Sequence, residues 1–350
     1  MNYSLLDYLA LFLISALIVG FLTPKIRNIA IKREIFDAPN SDHKTHKEPV
    51  PYLGGIAIII GVVVVTLSAT LTSNSDQIAT VLAVLIPSLF LGFIGLIDDL
   101  VDLSPWPRFL AQTAVGIAVA ITLITTNTVG SPTGSRNLDI ALTILFIVGL
   151  SNSVNFFDNV DGGASGTVAI SASFLALLSY VSGQYYIAAI SIVIAGATIG
   201  FLRWNRSPAR IYMGDAGSLF LGSLMASILV RFDPNPITYP TFFFVPLFLI
   251  AIPLLDTTVV IVSRIFRGIS PFTGGRDHLS HRLMRTGLSK VKAVSSLWGF
   301  TMFFALLAWL LSNVSHRWEP LVTLLGSTIW IFMLVLFLRI PATDKQDLAK

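Results

Sequence analysis

The chain is 350 residues long, 54% hydrophobic and only 12% charged, with a mean hydropathy of +0.78. A soluble domain carries about 25% charged residues, so a fold with a fully water-facing surface is excluded. The lack of cysteine rules out disulfide frameworks, thiolate metal sites and cysteine nucleophiles. The net charge of +4 is spread over short loops, which suits lipid head groups and topology signals and gives no nucleic-acid surface.

A spanning helix needs roughly 20 mostly apolar residues. Taken in chain order, such segments lie near 5–24, 53–72, 78–97, 109–125, 138–151, 166–182, 185–202, 216–231, 241–262, 293–313 and 319–339. They predict an all-α integral membrane protein of about eleven transmembrane helices, or ten if a short link such as Gly183-Gln184 merges two. The whole of 1–350 reads as one polytopic domain, with no internal repeat. Met1–Tyr8 has no basic n-region and carries Asp7, so no cleaved signal peptide is expected. With the N-terminus outside, 20 of the 23 lysines and arginines fall in inner loops or the C-terminal tail. Only Arg136, Arg231 and Arg317 remain outside. The positive-inside rule therefore predicts the N-terminus outside and the C-terminus cytoplasmic. Loops near 25–52, 98–108, 152–165, 203–215 and 263–292 then share the cytoplasmic face, and the acidic and histidine clusters fall in them.

The motifs follow in order. His46–Gly55 leads into the second span, where prolines fix an extended approach and Gly54 and Gly55 permit close helix contact. Asp98, Asp99 and Asp102 end the third span. On a continuing helix Asp98 and Asp102 share a face, with Asp99 turned about 100° away. Clustered carboxylates need a cation or donors, and Mg²⁺ with phosphate oxygens fits. In the stretch Asn152–Gly163, Asn152, Asn155, Asp158 and Asp161 recur every third residue, a drifting polar stripe on a helix that the glycine pair then ends. These side chains suit a metal and a nucleobase edge. Ile211–Ser218 opens the eighth span with small residues around Asp215, either an anion-binding helix start or a simple cap. Asp256 lies inside the ninth apolar run, where a functional carboxylate and a structural hydrogen bond are both open readings. In Ser270–Leu283, Arg276, His278, His281 and Arg282 form a cationic hand for phosphates or sugar hydroxyls, and His-x-x-His alone makes a weak zinc claim. His316, on the outer side, reads as inert.

Together and in this order, from about His46 to Leu288, these motifs resemble the polyprenyl-phosphate N-acetylhexosamine-1-phosphate transferase family. The chain looks closest to its undecaprenyl-phosphate GlcNAc-1-phosphate branch, which is related to the phospho-MurNAc-pentapeptide translocase. The resemblance implies a multi-pass enzyme of a bacterial-type inner membrane, with its active site facing the cytoplasm. It implies Mg²⁺, with Mn²⁺ as the alternative metal, a UDP-N-acetylhexosamine donor, an undecaprenyl phosphate acceptor and UMP as product. A homodimer is compatible with it. Carried over by position, Asn155 and Asp215 would hold the metal and diphosphate, and Asp98 and Asp99 would be the essential pair. Asp158 and Asp161 would line the uridine side, with Asn152 and His46 among the binding residues. Arg108, Arg276, His278, His281 and Arg282 would meet the phosphates and sugar. Two positions depart from the pattern. Lysine is usual where Arg108 stands, and many members have His-x-His-His where this chain has His278-Leu279-Ser280-His281. A transporter would show midplane charges and a repeat, and a CDP-alcohol phosphotransferase would concentrate its aspartates in one short motif. Here the charge clusters sit at inner helix ends with no visible repeat, and the aspartates are dispersed over four loops, so the transporter stays only as the alternative of another class.

Overall fold

The computed structural model describes residues 4–37, 49–72, 77–101, 103–125, 133–234, 238–271 and 273–342. His46 and Asp102, both expected at the site, lie outside the described residues. The architecture is all-helical: α1 Leu5–Lys32, α2 Gly54–Thr72, α3 Ile78–Val101, α4 Pro105–Thr125, α5 Arg136–Phe157, α6 Gly163–Val181 and α7 Tyr185–Asn205. Then follow α8 Gly214–Arg231, α9 Tyr239–Leu249, α10 Ala251–Phe266, the short α11 Leu279–Arg285, α12 Lys290–Asn313 and α13 Glu319–Arg339. One two-residue antiparallel pair, β1 Phe36–Asp37 with β2 Val50–Pro51, pairs Phe36 with Pro51 just before α2.

Among the described residues, eight helices are long and apolar enough to cross a membrane, and α9 with α10 adds a ninth as a pair bent by 73°. The chain is a multi-pass membrane protein. Its outward faces on α1 and α13 are lined by exposed apolar side chains such as Leu9, Leu17, Phe21, Leu324, Phe332 and Leu336, as lipid contact requires.

The segment read from sequence as one span at 241–262 is broken at Ile250. Pro253 has no N–H to give the carbonyl four residues back, which is that of Leu249. Ser171 of α6 donates to that oxygen at 2.6 Å, and Trp330 of α13 donates to the Ala251 carbonyl at 2.9 Å. In lipid the freed Leu249 carbonyl must be satisfied internally, and Ser171 of the neighbouring α6 does it. On the far side of α9, Thr238 caps the helix and donates to Glu319 at 2.7 Å, while His316 Nδ1 meets the same carboxylate at 2.8 Å. His316 is thus a local tie in the loop between α12 and α13.

The middle of the bundle is α8, packed on α2, α3 and α5 and buried along nearly its whole length. It is absent from the helices that pass the apolarity test. It meets protein, so it does not need a lipid-compatible face. Close approach of α2 is secured by glycine: a Cβ on Gly55 would run into the Gly217 backbone. The chain between them is zipped, since the Gly54 and Gly55 N–H groups donate to the Tyr212 and Met213 carbonyls at 3.0 and 2.8 Å.

Candidate active site

The ends of α3, α5 and α10 and the starts of α4, α6 and α8 meet at one end of the bundle, and they bring most of the predicted residues together. Asp98, at the end of α3, is buried. The Leu103 N–H donates to its Oδ1 at 2.7 Å, and Arg108 Nη1, from the first turn of α4, donates to its Oδ2 at 2.5 Å. The same Nη1 donates to Asp215 Oδ2 at 2.6 Å. Asn155 Nδ2 donates to the other oxygen of Asp215 at 2.8 Å and to Ser218 Oγ at 2.9 Å. One continuous polar chain therefore runs Asp98–Arg108–Asp215–Asn155 across four helices.

Asp99 is turned away from Asp98, as helix geometry demanded, and does different work. Its two oxygens accept the backbone N–H groups of Asp215 and Ala216 at 2.8 and 3.0 Å. It thereby supplies, from another helix, the cap that the first turn of α8 lacks. Met213 stands at the cap position without a side-chain cap bond, so Asp215 is not the cap of its own helix. A carboxylate at a helix start is also favoured by the helix dipole. Gly214 makes this approach work: its φ is +75°, and a Cβ there would lie 2.6 Å from Asp99 Oδ2. Tyr52 donates to the Asp99 carbonyl at 2.5 Å, a contact the sequence did not suggest.

The polar stripe on α5 is only partly helical. The helix ends at Phe157, with Asp158 as its C-cap, and Gly162 stands at the start of α6 in a left-handed conformation. The glycine pair thus opens a helix where it was expected to close one. Asn152 faces α4, donating to Gln112 Oε1 and to the Val148 carbonyl. Both its N–H bonds are used within the protein, which leaves the amide oxygen as the group it could offer a ligand. Asp161 Oδ2 accepts the Ala209 N–H and Lys290 Nζ, both at 3.2 Å. Asp158 is half-buried and has no donor among the described residues. Burial pushes its carboxyl well above the ordinary range, and the charges of Asp215, Asp99 and Asp161 push the same way. A carboxylate held among three others with no donor of its own favours a bound cation.

The loop before α11 is built differently from the expected cationic hand. Arg264 and Arg267, at the end of α10, clamp Asp277: Arg264 donates from Nε and Nη2 at 2.9 and 2.7 Å, and Arg267 from Nη2 at 2.6 Å. Burial would raise the Asp277 carboxyl, but the bonds and charge of Arg264, aided by His278 and Arg267, hold it at about 2. Arg282 is fully buried. It donates to the carbonyls of Asp277, Phe337 and Ile340 at 2.8, 2.8 and 2.5 Å, and to Ser263 Oγ at 2.8 Å. That guanidinium fastens α11 to the ends of α10 and α13, so the expectation that it meets a ligand is corrected. Burial depresses the His281 imidazole to about 3, helped by His278, Arg285 and Arg276, so His281 is neutral near pH 7 and not a cation. Arg276 lies half-buried beside Asp277. Ser280, at the position where a further histidine is common, donates to Asn159 Oδ1 at 2.5 Å.

Besides Tyr52, sequence reasoning missed Gln112, Lys290, Arg264 and Asn205. The last joins the α6 start to the α7–α8 link, accepting from Gly162 N–H and Ser165 Oγ and donating to the Ile211 carbonyl. A lone Asn at an apolar helix end was the only available signal. Away from this cluster, an apolar cavity of about 450 Å³ is lined by α5, the end of α8, α9 and α10, with Leu145, Phe146, Phe243 and Leu247 in its wall; its Leu229 stands roughly 21 Å along α8 from Asp215.

The oxygen-only donor set, Asp215, Asn155 and the nearby Asp158, suits a hard cation. Among the described residues no three His, Cys, Asp or Glu side chains form a metal cage. Mg²⁺ characteristically takes one or two carboxylates and completes its shell with water and phosphate oxygens, so the residues present fit it.

The family described as glycosyl transferase family 4 matches residues 81–233, which include Asp98, Asp99, Arg108, Asn155, Asp158 and Asp215. A probable undecaprenyl-phosphate N-acetylglucosaminyl 1-phosphate transferase of Bacillus subtilis is 31% identical over 95% of this chain and 90% of its own length. A decaprenyl-phosphate N-acetylglucosaminephosphotransferase of Mycolicibacterium smegmatis is 32% identical over 81% of this chain and 76% of its own. A phospho-N-acetylmuramoyl-pentapeptide-transferase of Staphylococcus carnosus is 28% identical, with 82% and 92% covered.

Proposed function

The chain belongs to glycosyl transferase family 4, and on that premise we propose that it transfers GlcNAc 1-phosphate from UDP-GlcNAc to undecaprenyl phosphate, releasing UMP. The observation that carries the reading is the chain Asp98–Arg108–Asp215–Asn155, in which anionic and amide oxygens converge beside the capped start of α8. Phosphoryl transfer between anionic partners needs charge compensation and in-line placement more than covalent help, and Arg108 between the two carboxylates supports the first. Asp215 and Asn155 would hold Mg²⁺ when it is bound, with Asp158 as a further oxygen nearby, and the ion would neutralise the donor diphosphate. Arg108 balances Asp98 and Asp215 before substrates arrive and is placed to share phosphate charge afterwards.

The acceptor phosphate attacks the sugar-bearing phosphorus, the bond to the uridine-bearing phosphate breaks, and UMP leaves. A phosphate monoester with a second pKa near 6 is largely dianionic at neutral pH, so Asp98 orients the nucleophile and takes any last proton. The acceptor's tail stays in the bilayer, each buried CH₂ being worth about 0.8 kcal/mol. The finer topology belongs to the same proposal: eleven spans, with α4, α8 and the bent α9–α10 pair each counted as one. The N-terminus is outside, the C-terminus inside, and the site faces the cytoplasm of a bacterial-type inner membrane.

The test is incorporation of sugar-labelled UDP-GlcNAc into lipid by membranes containing the chain, undecaprenyl phosphate and Mg²⁺, with EDTA and Asp215→Ala as controls. Metal-dependent label, lost in the variant, is expected. UDP-MurNAc-pentapeptide runs in parallel because of the Staphylococcus carnosus relative. Label from that donor alone would move the chain to the other branch, and no transfer from either would overturn the reading.

A further inference from the structure

Asp256 is an aspartate in the first half of α10 with no exposure at all, and the reaction as described makes no use of it. Burying a carboxylate is expensive unless both oxygens are satisfied, and here both are. His278 Nδ1 lies 2.7 Å from Oδ2, and the Leu279 N–H donates to Oδ1 at 2.7 Å. A carboxylate only accepts, so this network assigns a proton to Nδ1 of His278. Nε2 is left as the ring's one nitrogen for a ligand, and it has no protein partner among the described residues. The ring is further fixed by the edge of Phe156, centroid to centroid 6.3 Å. Asp277, the preceding residue, is locked by Arg264 and Arg267. Asp256 and Arg264 belong to α10 and Arg267 is its C-cap, so these bonds tie the loop to that helix.

We propose that Asp256 is a positioning residue: it holds His278 in the Nδ1–H form and aims Nε2 at the anionic part of the donor, stabilising the imidazolium when that ring is charged. The role attributed to His278 rests on the reading above, whereas the tautomer does not. The same logic recurs wherever a carboxylate orients a functional histidine, and loss of such a partner typically costs about 10–100-fold in activity or affinity.

Two measurements test it. In protein labelled with ¹⁵N-histidine and held in nanodiscs, His278 should show a directly bonded, downfield Nδ1 proton, identified by its loss in His278→Gln. That spectrum needs no substrate, so it stands whether or not UDP-GlcNAc is the donor. An unprotonated Nδ1 would overturn the proposal. In the transfer assay, Asp256→Asn should lower kcat/KM about 10–100-fold and shift its pH profile. Combined with His278→Gln, it should add little to the loss that His278→Gln causes alone. Fully additive losses with an unmoved pH profile would mark Asp256 as merely structural and overturn the proposal. Absence of transfer by the unmutated chain would strike the function, with the spectrum still deciding the tautomer.

Discussion

Asp98 and Asp215, from helices far apart in sequence, are held by a single nitrogen: Nη1 of Arg108 donates to both, at 2.5 and 2.6 Å. The planar fork of arginine is not what this bridge uses, because one positively charged nitrogen makes both bonds. Arg and Lys differ most where bidentate geometry matters, and here it does not.

Arg108→Lys should therefore keep transfer activity within about tenfold of the unmutated chain. Arg108→Met leaves two facing carboxylates without compensation, a loss of about 3–5 kcal/mol by analogy with broken buried pairs. It should reduce kcat/KM by a hundredfold or more. Initial rates at saturating and limiting donor decide the matter. Equal damage from both variants would mean that the second guanidinium nitrogen is required.

Gly214→Ala is expected to damage the site without touching a charged group. The residue sits at φ +75°, and the added methyl carbon would lie 2.6 Å from Asp99 Oδ2. The left-handed conformation alone costs about 1–2 kcal/mol with a Cβ, and the clash pushes Asp99 off the α8 N–H groups. Activity should fall at least as far as in Asp99→Asn, with a lower Tm in both. A Gly214→Ala protein with normal rates would show that the Asp99 cap does not position Asp215.

Stability should fall on the acid side through His281. Folding depresses this imidazole from 6.5 to about 3, so the unfolded chain binds the proton that the native chain refuses. Its contribution is complete above about pH 6.5 and is lost as pH drops toward 3, with a slope of at most about 1.4 kcal/mol per pH unit. Asp277, held at about 2, adds its own loss only below the ordinary aspartate range. Thermal melts of nanodisc-held protein between pH 7 and 4.5 should show a falling Tm that flattens in His281→Gln. An unchanged slope would remove His281 as the cause.

The chain's lack of cysteine makes its topology directly readable. In intact cells a membrane-impermeant maleimide should label Ser315→Cys, between α12 and α13, and should reach Thr273→Cys, in the loop before α11, only after permeabilisation. The reverse pattern would invert the proposed orientation.

The places of the apolar helices were legible because apolar length is a local property. All eleven predicted cores fall on helices of the structure, counting α9 with α10. Their ends were not, because helices such as α1 continue past the apolar part through Pro24 to Lys32, where water can solvate side chains while the backbone ladder persists. The bend at Ile250 also stayed hidden: prolines are tolerated in membrane helices, and whether one breaks depends on neighbours such as Ser171 and Trp330. At the site, residue types signalled the chemistry, and Asp98, Arg108, Asn155 and Asp215 do meet. What could not be read was the division of labour. Asp99 acts on a helix start 116 residues away and Arg282 on carbonyls 55 and 58 residues away. Adjacent residues in a motif looked alike from sequence, yet Asp98 meets Arg108 while Asp99 meets the backbone at the start of α8.

The wrapping of α8 by α2, α3 and α5 also bears on how the protein is made. A segment with Asp215 near one end, Arg231 at the other and small polar residues between partitions poorly from a translocon into bare lipid, since a central charge costs about 2.5–3.5 kcal/mol on insertion scales and less near the ends. All three of its wrapping helices emerge from the ribosome before it. The order of synthesis thus provides a protein-lined berth by the time the eighth helix arrives, and shortening or delaying any of those earlier helices would leave α8 without it.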